Sequence, residues 1–215
     1  MGLNFGLGFW KTLSGGGGGG INTGRTASGF STKASTMSVG FTGSAPASGT
    51  WIVLVIGENT AACTVSNGTG ATWSTLYSNT GNGCHVFYKK CNGSEPTTYT
   101  ITYAGVSSGD TCTAGMLEVL NANTTNPDAS ASTVTGTQTV PTITASASDL
   151  VVLTEIHFEG SSNSPPGGYS TKVAINDTSL EIYVNISTNI VSAGTVSPGN
   201  YSQSTSLLGI IGFKP

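Results

Sequence analysis

From Ala34 onward, apolar residues fall in short bursts separated by clusters of Gly, Asn, Ser, Thr and Pro, and no stretch keeps a 3.6-residue period. That pattern predicts strands over Met37–Thr42, Trp51–Ile56, Ser74–Ser78, His85–Lys90, Thr98–Tyr103, Ala114–Leu120, Leu150–Phe158, Tyr169–Ala174, Leu180–Ile186 and Leu207–Phe213. Tyr99, Ile101 and Tyr103 alternate with threonines, and Leu180, Ile182, Val184 and Ile186 alternate with Glu181, Tyr183 and Asn185, so each of these strands should keep one wet face. The runs Trp51–Ile56 and Leu207–Phe213 are apolar on both faces and should form the core. The expected fold is all-β: a jelly-roll-like two-sheet β-sandwich over residues 34–215, with an extended N-terminal arm.

A faint repeat runs through these strands. Gly49-Thr-Trp-Ile-Val-Leu-Val aligns with Ser148-Asp-Leu-Val-Val-Leu-Thr at an offset of 99, and Gly70-Ala-Thr-Trp73 aligns with Gly167-Gly-Tyr169 at 96. Val86–Tyr88 aligns with Ile182–Val184, also at 96, and Ala114–Leu120 resembles the closing apolar strand. Two similar half-sandwiches would together make the jelly roll.

Residues 1–14 read differently. Leu3, Phe5, Leu7 and Phe9 alternate with Gly2, Asn4, Gly6 and Gly8, which puts four large apolar groups on one face of an extended strand, and Trp10 closes it. A lone strand is not stable in water, so this arm should add itself to a sheet edge or groove of another protein, the alternative being that it folds back to pair with its own sandwich. Residues 15–33 form the expected linker. Gly15–Gly20 are six consecutive glycines with a free reach of about 13 Å, and Ile21–Lys33 is polar and aperiodic.

Composition removes whole classes of function. Seven Lys and Arg against 10 Asp and Glu, at net charge −3, cannot build a phosphate-neutralising surface, so nucleic acid is not an expected partner. No run approaches a membrane-spanning helix, and the N-terminus lacks the basic and continuous apolar regions of a signal peptide. No phosphate-loop motif occurs, since the six glycines lack the Lys-Ser/Thr it needs, and no cofactor is expected. Cys63, Cys84, Cys91 and Cys112 are spaced 21, 7 and 21 residues apart without a Cys-x-x-Cys. Such spacing fits small residues buried in or beside strands, with one or two disulfides as the alternative.

The order of segments resembles a known family. It runs from Gly49-Thr50 and its apolar strand through Gly70-Ala-Thr-Trp73, Val86-Phe-Tyr-Lys89, and Gly93-Ser-Glu-Pro96 leading into Thr98–Tyr103. Met116–Leu120, Asp149-Leu-Val-Val-Leu, Pro165-Pro-Gly-Gly-Tyr169 and Leu207–Pro215 follow. This order is similar to jelly-roll domains in virion proteins of tailed bacteriophages: tail fibres, head fibres and capsid decorations. The resemblance implies a non-enzymatic virion surface protein, made in the host bacterial cytoplasm and self-associating. It also implies anchoring of Leu3, Phe5, Leu7, Phe9 and Trp10 in a capsid, portal, neck or tail protein.

Three other chemistries have candidate residues. Glu155, His157 and Glu159 share one strand face, a carboxylate–imidazole row able to ligate a divalent metal with Asp177 or Glu181; the plainer reading is a solvated strand end. Glu155, Glu159 and Glu181 could supply an acid–base pair for glycoside cleavage. Amphipathic rings at Trp73, Tyr77, Tyr88, Tyr169, Tyr183 and Tyr201, with Trp73 and Tyr169 foremost, would suit stacking on a host cell-surface glycan.

Overall fold

The computed structural model describes residues 20–32, 35–58, 63–81, 83–103, 111–123, 125–146, 148–158, 163–177 and 182–215. The protein they form is an all-β sandwich. Its first half holds β1 (Asn22–Thr32), β2 (Thr36–Gly40), β3 (Trp51–Glu58), β4 (Cys63–Val65), β5 (Ser74–Asn79), β6 (Cys84–Lys90), β7 (Thr98–Tyr103) and β8 (Thr111–Leu120). Its second half holds β9 (Ala129–Thr139), β10 (Ile143–Ala145), β11 (Leu150–His157), β12 (Ser170–Asp177), β13 (Ile182–Ile190), β14 (Gly194–Val196) and β15 (Asn200–Phe213).

The strands make four sheets where two were expected. Two five-stranded sheets, ordered β1-β8-β3-β6-β5 and β12-β13-β11-β15-β9, pack face to face in the middle. A three-stranded sheet, β2-β7-β4, covers the outside of the first, and the pair β10-β14 covers the outside of the second. Three cores result. The central one joins Val53, Val55, Leu117 and Val119 to Val152, Ile156, Val184 and Ile211 across the two large sheets. Each outer core lies inside one half: Ile52, Leu54 and Met116 meet Tyr99 and Ile101, and Val151, Leu153 and Ile210 meet Ile143 and Val196.

This layering explains the sequence pattern. β3 is buried at every position because its sheet is covered on both faces. β7 alternates because Tyr99, Ile101 and Tyr103 face its core while Thr98, Thr100 and Thr102 face water. β13 departs from expectation, since Tyr183 and Asn185 are buried beneath a polar loop and this face is not wet.

The faint repeat is a structural one. β3 and β11 match at the offset of 99, and β5 and β12 match at 96, down to the same bulge after Thr75 and after Thr171. The pairing register corrects one alignment. Val86 lies opposite Val55 and Ile186 opposite Thr154, so Val86 matches Ile186, four residues beyond the expected Ile182. A slip of four preserves the face in a period-two strand, which is why the pattern hid it.

The expected linker of residues 15–33 is also corrected. Ile21 is buried in the central core, and Asn22–Thr32 pair along β8 as an edge strand. Its small polar residues carry no apolar period because it is an edge strand, with one flank lacking a partner strand. Residues 1–19, and with them the expected anchor Leu3, Phe5, Leu7, Phe9 and Trp10, lie outside the described residues.

Candidate functional site

Trp73 stands where the loop after β4 enters β5. Its backbone N–H donates to Asn67 Oδ1 at 3.3 Å, and its indole Nε1–H donates to the carbonyl of Ser66 at 3.2 Å. The ring meets Tyr99 edge-on with centroids 5.2 Å apart, and the Lys89 ammonium lies 4.7 Å from its centroid. Lys89 is itself buried, 4.4 Å from the Tyr99 ring and 4.0 Å from Glu95 Oε1. Burial pushes Lys89 below the ordinary lysine value, with Glu95 opposing. Burial alone would raise Glu95, but N–H donation from Ala71, Asn92 and Gly93 outweighs it and holds the carboxyl below its ordinary value. Gly70 is required here, because a Cβ would come within 2.9 Å of Glu95 Oε1.

Beside this cluster lies an open groove of about 250 Å³, lined by Thr64, Asn67, Thr72, Trp73, Thr75 and Phe87 among others. Tyr169 is the counterpart of Trp73 in the repeat, and the structure does not bring the two together. Tyr169 packs against the outer core of the second half, and burial of its hydroxyl raises its pKa to about 12. Tyr183 and Tyr201 are buried, so they offer no ring to a ligand, and Tyr77 and Tyr88 pack against the central core.

Glu155 and His157 do share a face of β11, as the spacing predicts, but neither is solvated. Asn163 covers them. Its amide donates to Glu155 Oε1 and to the carbonyl of Gln203 at 3.2 Å, and its Oδ1 accepts from Ser202 Oγ at 2.6 Å and from the Gln203 N–H at 3.0 Å. Its own carbonyl accepts from Tyr183 and from Asn185, each at 3.3 Å. Burial drives the Glu155 carboxyl up to about 8, against the lowering effect of Asn163, so near neutral pH it is mostly protonated. A neutral carboxyl engaged by an amide is a poor metal ligand. Glu159 and Glu181 lie outside the described residues, and among those described no group of three or more His, Cys, Asp and Glu could hold a metal ion.

A second polar chain crosses the first half. Ser78 Oγ lies 2.8 Å from His85 Nδ1, and His85 Nε2 lies 3.1 Å from Glu58 Oε1, spanning β5, β6 and β3. His85 is fully buried with its ring stacked on Phe87. The three groups are linked across three neighbouring strands. Sequence reading missed this chain, because partners on different strands share no local spacing. It missed Asn163 as well, hidden in a Ser-Asn-Ser-Pro loop that looked like a connector.

The four cysteines are free thiols, with Cys84, Cys91 and Cys112 buried and Cys63 half-buried. Among the described residues no helix is long and apolar enough to cross a membrane. No protein-family model, curated protein or solved structure matches the chain.

Proposed function

We propose that the protein is a non-enzymatic surface component of a tailed-phage particle, a duplicated jelly-roll body fastened to a neighbouring virion protein by residues 1–14. The observation that carries this reading is the alternation of Leu3, Phe5, Leu7 and Phe9 ahead of six glycines. A segment of alternating large apolar residues ahead of a glycine run is suited in sequence to joining a sheet edge or groove of another protein.

The strand order supports the jelly-roll element of the proposal. In the first half, β1-β8-β3-β6 run side by side in one sheet and β2-β7-β4 in the sheet that covers it, the order made by rolling an antiparallel ribbon over itself. The second half repeats it with β9-β15-β11-β13 beneath β10-β14. The described cores draw on Ile21 to Phe213, so the body has its own hydrophobic interior to fold around. The Ser78–His85–Glu58 chain and the Asn163 network link different strands through buried polar groups, as structural networks do.

The test is assembly in the presence of a chain lacking residues 1–19, a cut that spares the buried Ile21. The truncated protein should fold and be left out of purified particles. Incorporation at the full-length level would overturn the proposal.

A further inference from the structure

We propose that the groove beside Trp73 binds a single neutral sugar ring, and that the first half of the chain, not its repeat, carries this site. The inference stands apart from the anchoring arm and needs no particular place on a particle. The groove lies where β4, the edge of the outer sheet, passes β5, the edge of the large sheet beneath it.

The lining has the two chemistries a pyranose requires. Half-buried Trp73 offers an apolar ring for its C–H face, while the Thr64, Thr72 and Thr75 hydroxyls and the Asn67 amide offer donors and acceptors for its hydroxyl rim. Among the described residues no Asp, Glu, Lys or Arg lines the groove, and burial keeps the lining Cys63 thiol neutral, with its pKa pushed to about 12. A carboxylated or phosphorylated ligand would therefore find no counter-charge. At about 250 Å³ the space falls below the ~300–1,000 Å³ of pockets for drug-sized ligands, which fits one ring and not an oligosaccharide.

Trp73 is also held in place before any ligand arrives. Tyr99, Lys89 and the Ser66 carbonyl fix its ring from the protein side and Asn67 holds its backbone N–H, so little side-chain freedom is lost on stacking. The repeat provides an internal contrast. Tyr169 occupies the matching position and, like Trp73, packs against the outer core of its own half, but its one polar group, the hydroxyl, is buried.

The experiment is a titration of the full chain, followed by saturation-transfer NMR and tryptophan fluorescence. The probes are the methyl glycosides of glucose, galactose, mannose and N-acetylglucosamine, with methyl glucuronide as the anionic control. At least one neutral glycoside should bind saturably with a dissociation constant on the order of 1 mM, the range that ligand efficiency allows for so few atoms. Trp73→Ala and Thr75→Arg should each weaken it by about tenfold or more, and Tyr169→Ala should leave it unchanged. Thr75 is exposed, so the arginine fills the groove without entering a core and keeps the test valid if Trp73→Ala fails to fold. Absence of binding by all four neutral glycosides, affinity unchanged in Thr75→Arg, or preference for the glucuronide would each overturn the proposal.

Discussion

Gly115 on β8 and Gly209 on β15 occupy the same register position in the two central sheets, opposite Val55 and Thr154, and both face the central core. At each, the facing sheet comes too close for a side chain. A Cβ on Gly115 would lie 2.8 Å from Val173 Cγ1, and one on Gly209 would lie 3.0 Å from Leu76 Cδ2. The duplicated halves thus meet through a matched pair of glycines. Gly115→Val should destabilise the fold by about 1–3 kcal/mol through overpacking, read as a lower urea midpoint, whereas Gly20→Ala, with nothing within 4 Å, should not move it. An unchanged midpoint in Gly115→Val would mean that the sheets do not approach this closely.

Arg25 and Glu118 staple the bulge of β1 to β8. Arg25 donates Nε–H to Oε2 at 2.9 Å, Nη2–H to Oε1 at 2.8 Å and its backbone N–H to Oε2 at 3.1 Å. Burial would raise Glu118, but Arg25 outweighs it and holds the carboxyl below its ordinary value. That stabilisation is complete above the unfolded carboxyl pKa of about 4.3 and is lost as pH falls through the lower folded value. Glu118→Gln should cost about 2 kcal/mol at pH 7, and the gap to wild type should narrow at pH 3. Urea titrations at the two pH values read both effects.

Glu155 has the opposite sign. Its folded pKa, about 8, lies above the unfolded value, so its contribution is full in acid and is lost as pH rises from the unfolded value toward 8. Across that window the wild type should lose up to about 1.4 kcal/mol per pH unit relative to Glu155→Gln, which keeps an acceptor for Asn163 and never ionises. If the variant and wild type run parallel from pH 5 to pH 9, the carboxyl is not buried as described.

The thiols should be slow to react. Burial raises Cys84 and Cys91 to about 12, as it does Cys63, and raises Cys112 further, which leaves little thiolate at pH 8. A disulfide-exchange colorimetric assay should release four thiols promptly only after denaturation. Fast release from the native protein would contradict the burial, and fewer than four after denaturation would reveal a disulfide.

The strands with large apolar residues were legible because burial on one or both faces writes a period into the chain: β3, β6, β7, β8 and β11 were read, and β15 only over its apolar half from Leu207. β1, β9 and the short β4, β10 and β14 were not legible. They lie at sheet edges or in the small outer sheets, where Ser, Thr and Gly suffice and no alternation is imposed. Likewise Trp73 could be singled out as an aromatic near a turn, but its groove depends on β4 passing β5, a contact that no local spacing encodes. The Asn163 network was illegible for the same reason, since its partners come from β11, β13 and β15.

The central claim is that the opening segment is an anchor, and the most direct measurement transfers it. Residues 1–20 fused to an unrelated soluble reporter, with a second fusion carrying Leu3→Ser, Phe5→Ser, Leu7→Ser and Phe9→Ser, are expressed during phage assembly and quantified in purified particles. The account predicts that the native segment carries the reporter into particles and that the serine version does not; equal incorporation of the two, or of neither, contradicts it.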